Sequence, residues 1–101
     1  MSESIRQKII LSINRALLGE VFPRLMAVAC KIYEEKKFEL IFFVSEPLDA
    51  EEVEAMSCVE TEVIADFDAD YDISHSISVS SFDEIDGFDF LVFLRAKSTA
   101  L

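Results

Sequence analysis

The hydrophobic positions change period along the chain, and each change marks an element. Ile5, Ile9, Ile13, Ala16 and Leu17 recur at the spacing of one helix face, with Ser2 or Ser4 able to cap the start and Gly19 to stop it. This predicts a helix over residues 3–18. Leu11 and Leu18, seven apart, form a second stripe, which implies more than one neighbour for that helix. Pro23 then favours an extended entry. Residues 24–33 and 38–45 are rich in Val, Ala, Ile and Phe and read as strands, with Glu34-Glu35-Lys36-Lys37 as a hairpin loop. Asp49 and Glu52 have capping-box spacing, and Leu48 can act as the staple of a second helix that ends near residue 66. Its apolar stripe is expected at Val53, Met56, Val63, Ile64 and Phe67. From Tyr71 to Val79 apolar and polar residues alternate as in a half-buried strand. An acidic connector over 80–87 leads to a last strand over 88–95.

The order α-β-β-α-β-β, with short connections, predicts an α+β fold: a four-stranded, mainly antiparallel sheet packed with two helices. The 101 residues have room for one core, so the whole chain is expected to be a single domain. Three strands are apolar on both faces: Met26/Val28/Ile32 against Leu25/Ala27/Ala29, Ile41/Phe43 against Leu40/Phe42, and Leu91/Phe93 against Phe90/Val92. Such a sheet needs cover on both sides. One helix on each face, a homodimer, or an apolar partner-binding face would supply it.

Charge adds a direction. The net charge is −11, and it is uneven: residues 1–37 hold seven Lys/Arg and four Glu, residues 38–101 two Lys/Arg and sixteen Asp/Glu. A field of one sign over more than half a chain repels nucleic acid and anionic membranes and attracts basic proteins. The apolar runs are strand-length, far short of a bilayer span, and no secretory signal is visible. Cys30 and Cys58 lie far apart in apolar-looking segments and read as reduced thiols of a cytoplasmic protein.

Candidate chemistry is sparse. One His, no Trp and two Gly leave no phosphate-cradling loop, dinucleotide fingerprint or nucleophile elbow, so no catalytic residue and no cofactor is assigned. His75 lies on the apolar side of the third strand, the ordinary place for a satisfied core or rim histidine. No Cys has a partner at zinc spacing. The alternating Asp66, Asp68, Asp70 and Asp72 resemble the start of a calcium loop, but whether counted from Asp66 or Asp68 the required Gly and Glu positions hold apolar or aromatic residues, so no metal is assigned. These aspartates, with Glu62 one turn earlier and with Asp83, Glu84, Asp86 and Asp89 in the second connector, are the candidate partner-binding carboxylates; two merely solvated acidic loops are the alternative. Glu60 falls inside the apolar arc of the second helix and needs a partner, for which Arg6, Arg15 and His75 are the candidates.

Two runs, Arg15-Ala16-Leu17-Leu18-Gly19-Glu20-Val21-Phe22-Pro23-Arg24-Leu25 and Ser57-Cys58-Val59-Glu60-Thr61-Glu62-Val63-Ile64-Ala65-Asp66-Phe67, resemble small acidic bacterial immunity proteins of contact-dependent inhibition and other polymorphic toxin systems. The resemblance implies a cytoplasmic antidote that neutralises the nuclease domain of a cognate toxin; it transfers no binding residues. The residues leave two other readings open: an adaptor that homodimerises through an apolar sheet face, and a small enzyme using paired carboxylates with His75.

Overall fold

A computed structural model describes residues 3–95, apart from the side chains of Glu3 and Phe82. In chain order the elements are α1 (Glu3–Ala16), β1 (Leu25–Glu34), β2 (Lys37–Val44), α2 (Ala50–Ala65), β3 (Asp72–Val79), a short 3-10 turn (Phe82–Glu84) and β4 (Phe90–Leu94). The expected α+β order is the observed one. Gly19 follows α1 with φ +82, a conformation that suits glycine. Asp49 and Glu52 form the reciprocal capping box, each carboxylate accepting the other residue's backbone N–H at 2.8 and 3.0 Å.

The sheet order is β3-β2-β1-β4. β1 is antiparallel to both β2 and β4, whereas β2 and β3 are parallel, so the sheet is mixed and mostly antiparallel. Element lengths explain the parallel pair. The sixteen residues of α2 climb ~24 Å, about the length of the eight-residue β2. The helix thus returns the chain to where β2 began, and Asp72 enters the sheet opposite Lys37.

Both helices lie on one face. Ile9, Ile13, Met56, Val59 and Val63 pack there against Leu25, Val28, Phe38, Phe42 and Val44 from the strands. The other face carries Ala27, Ala29, Ile41 and Phe43, covered by Ile85 and Phe88 from the connector between β3 and β4. No helix supplies this cover: the chain's own connector straps the sheet. Phe43 is 3% exposed beneath it, so this face is not an open homodimer surface.

Two details depart from the simple period. A register shift between Leu25 and Ala27 inserts Met26, so Leu25 joins Val28 on the helix side instead of sharing a face with Ala27. In α2 the buried line is Met56, Val59 and Val63, while Val53 and Ile64 are 40% and 44% exposed. At ~100° per residue both fall on one flank, roughly 60–80° round from Met56.

Candidate partner-binding surface

The nine carboxylates singled out by sequence divide into two groups. Glu62, Asp66, Asp68, Asp70 and Asp72 occupy the corner where α2 ends and β3 begins. Asp66 is the C-cap of α2. It accepts the Ser12 hydroxyl at 2.6 Å and pairs with the Arg15 guanidinium, tying the end of α2 to the C-terminal half of α1. Ser12 is the one buried polar side chain among the described residues, and this bond satisfies it. The Ser12 hydroxyl, followed by the charge of Arg15, holds the Asp66 carboxyl below the usual carboxylate range. Asp70 pairs with Lys36 at 2.5 Å, which lowers the carboxyl pKa and raises that of the amine. Glu62, Asp68 and Asp72 are exposed and make no ion pair among the described residues.

The second connector stands apart. Glu84 accepts the Ser81 N–H at 2.7 Å, which keeps its carboxyl ionised below the ordinary range. It lines a groove with Pro23, Ser45 and Val79 at the far end of β3, ~23 Å along the strand from Asp72. Asp83 and Asp86 are exposed on the strap. Asp89 is on the opposite edge of the sheet, where it accepts the Ile32 N–H at 2.6 Å and its own N–H reaches the Cys30 carbonyl. The sequence therefore brings five candidates together and separates four.

Glu60 meets one of its expected partners. Its carboxylate lies 2.6 Å from His75 Nδ1, and the imidazole stands edge-on to the buried Phe42 ring at 5.7 Å. The pair links α2 to β3 at the rim of the core and is structural in character. Cys30 is fully buried; burial, then the nearby Asp89 charge, pushes its thiol up to about 12, so it is inert as a nucleophile. Among the described residues no three His, Cys, Asp or Glu converge to hold a metal ion. No helix among them is long and apolar enough to cross a membrane.

Sequence reasoning gave little weight to the outer crest of the helix pair. Leu11 and Leu18 are 70% and 78% exposed, the highest values among the large apolar side chains described. The spacing of seven that marked them was the available signal.

A helix pair on one face of a mixed four-stranded sheet, with exposed carboxylates at the corner between α2 and β3, defines a small α+β protein. Residues 6–97 match the MafI2 immunity protein family, and the chain belongs to it. An immunity protein inhibits a cognate toxin and is not an enzyme, which agrees with the resemblance carried by the Arg15–Leu25 and Ser57–Phe67 runs. No curated protein matches the chain.

Proposed function

We propose that this immunity protein acts in the cytoplasm, as one domain over residues 1–101, and neutralises a basic nuclease toxin by presenting carboxylates to it. The supporting observation is the corner at the end of α2, where Glu62, Asp68 and Asp72 are exposed without a basic neighbour in ion-pair range among the described residues. A nuclease holds phosphates in a basic groove, and carboxylates offered there occupy the phosphate positions. Charge complementarity also speeds encounter, and on-rates of such pairs fall steeply as salt rises.

The test is co-expression with the cognate toxin domain. Growth should be rescued by the native chain and lost when Glu62, Asp68 and Asp72 are together reversed to Lys. Affinity should weaken at least tenfold between low and physiological salt, a size in keeping with steered charged complexes. Full protection by the triple reversal would sink the acidic-corner mechanism.

A further inference from the structure

We infer that the toxin is anchored on the outer groove between α1 and α2, where Leu11, Leu18 and Val21 receive an apolar projection ringed by basic side chains. This rests on the basic-partner reading above and adds the apolar centre that reading lacks. The helices run antiparallel. Asp66 at the end of α2 meets Ser12 and Arg15, while Gly19, Val21 and Phe22 line a shared groove with Glu51, Glu54 and Cys58 from the first half of α2. Leu11 lines a second groove with Arg15 and Asp66, and Leu18 follows Leu11 by seven residues. Leu11 on α1, and Leu18 and Val21 in the segment that follows it, are 70%, 78% and 44% exposed. The two faces of the sheet are covered, one by the helices and one by the strap.

The rim decides between occupants. Glu20, Glu51 and Glu54 line the groove that holds Val21, and none has an ion pair among the described residues. Glu62 is one helical turn from both Cys58 and Asp66, which places it between the two grooves. The nearby bases are already engaged: Arg15 with Asp66, and Lys8 over the Phe67 ring at 4.8 Å. A twofold dimer would set the same acidic rim against itself, since an isologous interface pairs one patch with its own copy. A basic partner meets the rim with complementary charge. Exposed apolar anchors inside a polar border have the anatomy of an interface hot spot.

The experiment uses the full chain and the purified domain of its cognate toxin. Hydrogen exchange should slow on binding over residues 11–21 and 51–62, and Leu18→Asp should weaken affinity by about 30-fold or more. Leu94→Asp, on the exposed edge of β4, should bind like the native chain. Far-UV circular dichroism checks that Leu18→Asp keeps its fold, and the footprint needs no variant at all. A footprint confined to residues 66–72, with Leu18→Asp binding unchanged, overturns the inference. So does light scattering that shows a native dimer which Leu18→Asp converts to monomer, because the groove would then belong to a second copy. A footprint on the helices with salt-independent affinity would keep the groove and remove only the basic-partner reading.

Discussion

The two acidic connectors look alike in sequence and work differently. Residues 66–72 are tied to the basic N-terminal third: Asp66 holds Ser12 and Arg15, and Asp70 holds Lys36. Between the aspartates, Phe67 and Tyr71 turn inward and stack at 4.9 Å beside the buried Phe38. Residues 80–89 cross the back of the sheet instead. Ile85 and Phe88 hold them there, Phe88 meeting Phe43 edge-to-face at 6.2 Å, while Glu84 and Asp89 accept backbone N–H groups. Carboxylate density alone therefore does not locate a binding surface. A carboxylate bound to a buried hydroxyl or a strand N–H is committed to the fold, and only those left over can meet a partner.

The strongest test of this contrast removes the anchor of the second connector. Phe88→Ala should destabilise the protein by about 2–3 kcal/mol, below the range for fully buried aromatics because Phe88 is only half-buried. Urea denaturation measures it, and a loss below about 1 kcal/mol would mean that the strap is not what seals the sheet. Neutralising Asp83 and Asp86 to Asn should leave the urea midpoint unchanged, because neither carboxylate holds another described group.

In the first connector the effect is smaller and depends on pH. Asp66→Asn should cost about 1–2 kcal/mol near neutral pH, since the Ser12 hydroxyl loses a charged acceptor. The folded carboxyl titrates below its unfolded value. Its contribution is therefore complete above roughly pH 4 and is lost as pH falls through the depressed value. Native and Asp66→Asn chains should then converge in stability on the acid side. Parallel stability curves down to pH 2 would show that the Ser12–Asp66–Arg15 contacts do not depend on ionisation.

Much of this was legible in the sequence, and the failures have specific causes. The capping box and the Gly19 stop are short-range signals, and local geometry delivered them intact; the alternation of β3 holds around Ile73 and fades beyond His75, where Val79 is 55% exposed. The parallel β2–β3 pair was not legible, because it follows from two element lengths taken together. The strap was missed because a connector with four carboxylates over residues 80–89 reads as solvated, while Ile85 and Phe88 are too few to show a period. Met26 displaced the face assignment of Leu25, since a bulge breaks alternation without any mark in composition. Among site candidates, Glu60 with His75 was foreseeable because a carboxylate in an apolar arc must find a partner. The nine carboxylates do not gather because the first connector enters β3 at Asp72 and the second leaves it beyond Val79, at the other end of the strand.

The smallest predicted effect lies at the tip of the β1–β2 hairpin, and its sign is informative. Lys36 has φ 66, a left-handed conformation that costs a residue with a side chain but not glycine. The same residue pairs with Asp70 and lies 5.9 Å from the Tyr71 ring, and its carbonyl accepts the Asp72 N–H at 2.7 Å. Lys36→Gly relieves the backbone, keeps the carbonyl contact and removes the other two. Exposed ion pairs contribute little, so the backbone term should win, raising Tm by about 4 °C or less. Asp70→Asn, which breaks the pair without touching the backbone, should leave Tm unchanged within error. If Lys36→Gly instead lowers Tm, the charged contact from the basic N-terminal third outweighs the strain. The first connector would then depend on that tether as the second depends on Phe88.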